Sequence, residues 1–97
     1  MHARVITLHF QPALFDEGVR ICQESIMPAA QAQVGFVTIY LLTDRASNTA
    51  MFVSLWASDA DLQANEMAGF YHAQMAKLAD VLAAPPVRVL MEVHAQR

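Results

Sequence analysis

The chain has 97 residues, 56% apolar and 15% charged, with six Lys and Arg against nine Asp and Glu for a formal net charge of −3. That length suits one domain spanning residues 1–97, and so apolar a composition excludes a disordered chain. The basic residues are scattered as Arg4, Arg20, Arg45, Lys77, Arg88 and Arg97, which argues against a nucleic-acid partner, since phosphate binding calls for clustered cations.

Residues 4–10 alternate and are rich in β-branched and aromatic types, which predicts a first strand. Gln11-Pro12 breaks it, and Pro12 suits the first turn of a helix. Leu14, Phe15, Gly18, Ile21, Cys22, Ser25 and Ile26 recur at helical spacing as one apolar stripe. Pro28 is expected to end or kink this helix near Ile26 or Met27. Gly35 to Thr43 reads as a second strand and Thr49 to Trp56 as a third. They are joined as a hairpin by the turn 44–48, where Asn48 can take a left-handed conformation. Ser58 with Asp61 resembles a helix N-cap and its acidic partner.

The longest helical pattern runs from Asp59 to about Ala83, with Ala64, Met67, Ala68, Tyr71, Met75, Leu78 and Leu82 on one stripe. Pro85-Pro86 stops it, and Val87 to Val93 forms a fourth strand. The order β-α-β-β-α-β predicts an α+β, ferredoxin-like fold with a four-stranded antiparallel sheet. No run approaches the ~18 apolar residues of a membrane span, and no secretory leader is visible. No membrane partner and a cytoplasmic location are therefore expected.

Two helices can cover only one face of such a sheet, yet every strand carries large apolar groups on both faces. Val5 and Thr7 oppose Ile6 and Leu8, Tyr40 and Leu42 oppose Ile39 and Leu41, and Met51, Val53 and Leu55 oppose Phe52 and Trp56. By alternation Phe36 belongs with Thr38, Tyr40 and Leu42. An apolar face of that size exceeds what a monomer usually exposes. A homodimer with its two sheets packed face to face is expected.

Local catalytic motifs are absent: no phosphate loop, no Cys-x-x-Cys, no His-Glu-x-x-His and no nucleophile elbow. His2, His9, His72 and His94 show no metal-ligand spacing, so no metal is expected. Cys22, the only cysteine, reads as a small core hydrophobe. Asn65 and His72, seven residues apart, fall on one flank of the long helical stripe. Beside Trp56, Phe52, Tyr71 and Met67 they would suit a flat, partly polar ligand in a cleft between helix and sheet. They fit equally a boundary amide and a solvent-facing histidine. His9 faces either the cleft or the dimer interface, and Arg88, Glu92 and His94 read as a polar strand face toward solvent.

The chain resembles the antibiotic biosynthesis monooxygenase-like group of the dimeric α+β barrel superfamily. The resemblance rests on Val34-Gly35-Phe36, Leu41-Leu42-Thr43-Asp44, Ser54-Leu55-Trp56-Ala57-Ser58 and Met91-Glu92-Val93. It implies a dimeric barrel with a cleft in each subunit, and oxidation of a small aromatic or quinol-like metabolite by O₂ with no metal, flavin or other cofactor. In that reading His72 or His9 is the base, Asn65 donates to a developing oxyanion, and Trp56, Tyr71, Phe52 and Met67 form the wall. A non-enzymatic small-molecule-binding barrel is the alternative. Haem binding or degradation fits less well, because the first strand has no Asn and the helix pair ten residues apart is Asn65 and Met75.

Overall fold

Alternation puts successive side chains of an extended chain on opposite faces. In the computed structural model, which describes residues 1–97, the N-terminal run is strand β1 (His2–His9). It lies inside a four-stranded antiparallel sheet with β2 (Phe36–Asp44), β3 (Thr49–Trp56) and β4 (Val87–Glu92), in the order β2-β3-β1-β4. With helical stretches between β1 and β2 and between β3 and β4, this is the expected α+β, ferredoxin-like arrangement. No helix is long and apolar enough to cross a membrane.

The first helical stretch opens with a 3₁₀ turn at Pro12–Leu14. It continues as α1 (Phe15–Ile21), a π-helical segment Cys22–Ile26, and α2 (Met27–Gln31). Pro28 therefore does not end it. A proline in a helix lacks the N–H of the ladder and crowds the carbonyl four residues back; the wider π turn just before it relieves both constraints. Gly18 packs against the ring of Phe10, which a Cβ at this position would strike, so its missing side chain lets α1 close onto the end of β1.

The hairpin is built as its composition predicts. Asp44 accepts from the Ala46 N–H at 3.2 Å and from Ser47 Oγ at 2.8 Å, and Asn48 takes the left-handed conformation at φ 55°. One detail of β2 differs from simple alternation. A register shift between Phe36 and Thr38 turns Phe36 to the helix side, where its ring meets Trp56 edge-on at 6.1 Å.

The second helical stretch is two helices, α3 (Asp59–Met67) and α4 (Phe70–Ala76), rather than one reaching Ala83. Ser58 caps α3 as expected, accepting from the Asp61 N–H at 3.1 Å. Gly69, at φ 79°, breaks the helix and resets its phase. Leu62 and Asn65 face inward from α3, and Tyr71, Gln74 and Met75 from α4, whereas Ala64 and Ala68 are exposed and Met67 is 88% exposed. Nothing lies within 4 Å of a Cβ built on Gly69, so Gly69→Ala tests backbone conformation alone. It is expected to cost about 1 kcal/mol, and Gly69→Asn less, measured by urea unfolding.

The core lies between the helices and one sheet face, where Ile6, Leu8, Phe10 and Phe52 meet Phe15, Cys22, Ile26, Tyr71 and Leu78. The opposite sheet face carries no helix. Pairing register runs Tyr40, Val53, Val5 and Val89 across all four strands, with Leu42, Met51, Thr7 and Val87 as the next row. Tyr40, Leu42, Val87 and Met91 on this face are each more than half exposed.

Candidate functional site

Arg4 shares the parity of Ile6 and Leu8 on β1, so its side chain enters the helix side of the sheet, where the residue is only 3% exposed. A guanidinium there must find partners, because an unpaired buried charge is costly. Its Nε donates to Glu66 Oε1 at 2.8 Å and its Nη2 to Asn65 Oδ1, both on α3. The guanidinium carbon also lies 5.2 Å from the ring centre of Trp56 and 5.9 Å from that of Phe70. Burial pushes the Arg4 pKa down from its ordinary value, and the bond to Glu66 opposes that shift.

Glu66 holds a second cation. Its other oxygen accepts from Arg88 Nη1 at 2.5 Å, and Arg88 stacks 4.4 Å from the Tyr71 ring centre. Desolvation raises the Tyr71 pKa above its usual value, with the nearby Arg88 acting the other way. Ser54 Oγ donates to the Arg4 carbonyl at 3.4 Å and accepts from Trp56 Nε1 at 3.0 Å. Arg4, Trp56 and Ser54 thus form one packed unit beneath the helices.

Between the sheet and α2 and α4 is a partly enclosed cavity of about 20 Å³, walled mainly by apolar side chains, with Arg4, Ser54, Tyr71 and Gln74 supplying polar groups. That space holds roughly one water, whereas sites for small organic molecules run to ~300 Å³ and more. Phe70, Tyr71, Gln74 and Met75 of α4 form one side of it, and α4 is a seven-residue helix released from α3 by Gly69. No three His, Cys, Asp or Glu side chains converge as metal ligands would.

Of the residues singled out from the sequence, Phe52 and Tyr71 border this cavity. Asn65 is buried, but behind Arg4: its oxygen accepts from Arg4 and its Nδ2 donates to Gln33 Oε1 at 3.1 Å. Its amide therefore orients the guanidinium, and the residue borders a separate surface groove with Gln33, Asp61 and Ala68 rather than the cavity beneath α4. Trp56 is fully buried under Arg4 and does not reach the wall.

Neither histidine borders the cavity. His9 is exposed at the end of β1, 3.3 Å from Thr49 Oγ1. His72 is exposed on α4, with its ring edge-on to Tyr71 at 5.2 Å. Met67 projects from the last turn of α3. The expected cluster of Asn65 with His72 is thus not assembled, because the break at Gly69 turns the two helices separately. Burial raises the Cys22 thiol to about 12, which fits the core role read for it.

The residues missed at first are Arg4, Glu66, Arg88 and Gln74. Arg4 carried a signal: a charge at the parity of three core residues, Ile6, Leu8 and Phe10. Arg88, read as facing solvent, is exposed, but it lies on the helix side of β4 opposite Ile6 and reaches Glu66.

No family model matches the sequence, and no curated protein matches it. Solved structures do. A protein of unknown function from Nitrosomonas europaea, NE2512, superposes with a TM-score of 0.81 at 24% identity, covering 99% of this chain and 91% of that one. The monooxygenase from the gene ActVA-Orf6 of Streptomyces coelicolor, in complex with nanaomycin D, gives 0.79 at 18% identity, covering 99% and 89%. A candidate antibiotic biosynthesis monooxygenase from Deinococcus radiodurans gives 0.80 at 11%, covering 100% and 96%. The chain shares the fold of these structures. At the level of fold, the resemblance read from the sequence holds over nearly its whole length. In this fold the cavity beneath α4 brings polar groups together in an apolar wall, and Arg4 is its one charged lining residue.

Proposed function

We propose that the protein is a cofactor-independent monooxygenase for a small aromatic or quinol-like metabolite, working as a homodimer with one site per subunit. The observation that carries this reading is the mainly apolar, partly enclosed cavity with a buried guanidinium in its wall. The fold shared with the nanaomycin-bound monooxygenase supports it. Admission of a ring system requires α4 to swing outward about Gly69, carrying Tyr71 and Gln74 with it.

The chemistry asked of the protein is to hold an electron-rich anion and keep bulk water away. Arg4 stabilises the ionised phenol through its positive charge in a site of low dielectric. For a ring CH₂ conjugated to that phenolate, loss of a C–H proton to a single water molecule held in the site gives a carbanion that passes an electron to O₂. Recombination forms the C–O bond of a hydroperoxide as a proton returns, and loss of water leaves C=O. One oxygen atom stays on carbon, the other leaves as water, and all four electrons come from the substrate. Phe52 and Tyr71 form the wall, and Asn65 holds Arg4 in place.

The test is O₂ uptake with a panel of anthrones and naphthoquinols, with ¹⁸O₂ used to follow one labelled atom into the product. Turnover above the uncatalysed rate is expected without added metal or flavin. Because His9 and His72 lie outside the cavity, the His9→Ala, His72→Ala double variant is expected to keep its rate within about twofold, a change of under ~0.5 kcal/mol in barrier. A large loss would restore a histidine base. Ligands that raise the melting temperature but are never oxidised would favour a non-enzymatic binding protein.

A further inference from the structure

The first helical stretch carries two neighbouring rows of side chains, each running four residues at a time. Cys22, Ile26 and Ala30 are buried toward the core, and Ile26 and Ala30 wall the cavity beneath α4. Val19, Gln23 and Met27 form the next row, which does not border that cavity. Between this row and Ile39, Leu41 and Thr43 of β2 runs an open groove of about 440 Å³. β2 is an edge strand, paired with β3 alone, so no further strand closes the groove on its outer side.

Size, floor and charge set this groove apart. Its volume falls within the ~300–1,000 Å³ of sites for small organic molecules. The grooves beside Asn65 and at the hairpin end measure about 180 and 220 Å³. Its floor is unfinished core, since Val19, Met27, Ile39 and Leu41 pack against the buried cluster and stay partly exposed on their other side. No charged residue lines it. The ionised groups nearby in sequence are engaged with one another, Arg20 with Glu17 and Glu24, and Arg45 with Asp16. A charged ligand would give up water there without meeting a free counter-charge. The polar groups on offer are the Gln23 amide and the Thr43 hydroxyl, both exposed, one on the helix rim and one on the strand rim.

We infer that this groove is a second binding site, separate from the cavity beneath α4, for an uncharged and mainly apolar molecule of fused-ring size. Its affinity comes from apolar surface taken out of water against the floor, and Gln23 and Thr43 can hydrogen-bond a carbonyl or hydroxyl on the ligand. Ile39 is the one residue common to both walls. The groove does not depend on the chemistry proposed for the cavity.

Fluorescence titration of the intact protein with prodan, an uncharged naphthyl ketone whose emission moves to the blue in apolar surroundings, tests this. Saturable binding of one prodan per chain with a blue shift is expected, and several-fold weaker binding of the anionic anilinonaphthalene sulfonate. Gln23→Trp and Thr43→Trp fill the groove from opposite rims at exposed positions, and each is expected to weaken prodan at least about tenfold with the circular dichroism of the native fold retained. Val53→Asp, in the middle of the bare sheet face, is expected to leave prodan binding unchanged.

Absence of a saturable blue shift would overturn the inference, as would the anion binding as tightly as prodan. Loss of binding in Val53→Asp, with both Trp variants unaffected, would overturn it by placing the ligand on the bare sheet face. A prodan affinity that falls as protein concentration rises would overturn it by showing that a second copy of the chain takes the groove.

Discussion

Glu66→Ala is expected to destabilise the fold by about 3 kcal/mol, the low end for removing one partner of a buried ion pair. For a chain of this size that is a fall of about 12–24 °C in melting temperature. The physical cause is what remains afterwards. Arg4 stays 3% exposed with its Nε unpaired, and Arg88 loses the carboxylate that fixes it over Tyr71. Helix α3 also loses its side-chain tie to β1 through Glu66, keeping those through Asn65 and through Asp59, which lies 3.8 Å from His2. Glu66→Gln retains an acceptor for one of the two arginines but not the charge, so it should fall between wild type and Glu66→Ala.

Removal of both ends distinguishes pairing from packing. An Arg4→Met, Glu66→Leu double variant takes the buried charge away altogether, and such replacements are often neutral or stabilising. Its melting temperature is expected to return most of the way to wild type, a non-additivity of about 2 kcal/mol between the two positions. If Glu66→Ala melts within about 2 °C of wild type, under ~0.5 kcal/mol, the Arg4–Glu66–Arg88 network is not a structural element of the core. Loss of turnover in the double variant, with the fold retained, would separate Arg4's role toward a substrate from its role in stability.

What could be read from the sequence depended on whether the signal was local. Strand boundaries and faces came through because a period of two is visible in a few residues: β1, β3 and β4 lie where the alternation puts them, and Asn48 and Ser58 play the turn and cap roles their side chains dictate. Two single-residue events shifted everything after them. The bulge near Val37 moved Phe36 to the other face, and Gly69 divided a continuous helical pattern. Alternation and periodicity both assume unbroken phase, so neither event could be seen in them.

The site was harder for the same reason. Arg4, Glu66 and Arg88 are more than twenty residues apart in sequence and meet only because β1 pairs with β4 beneath α3. Asn65 was found because it lies on the buried side of α3, but its role toward Arg4 needed the strand register. His9 and His72 attracted attention for their chemistry alone, and their placement followed from a phase that Gly69 interrupts.

The largest expected effect concerns the bare face of the sheet. Wild-type protein is expected to sediment as a dimer at micromolar concentration, and Val53→Asp as a monomer up to ~100 μM, a loss of at least about 3 kcal/mol in association. Val53 sits between Tyr40 and Val5 in the middle row of that face. In a two-fold interface each substitution enters twice, so two carboxylates would be buried opposite apolar groups with no partner. The gross apolar term is large: an ~800 Å² patch per partner at about 25 cal/mol per Å² amounts to roughly 20 kcal/mol before association costs. A single central charge can therefore abolish dimerisation only if the two sheets meet at their centres. A charge at the periphery, such as Thr43→Lys at the end of β2, is expected to leave the dimer intact. The helix side of the sheet does not touch this face, so the Val53→Asp monomer should keep the circular dichroism of the native fold. A wild-type monomer at micromolar concentration would remove the barrel from the proposal, and dimeric Val53→Asp would move the contact to another surface.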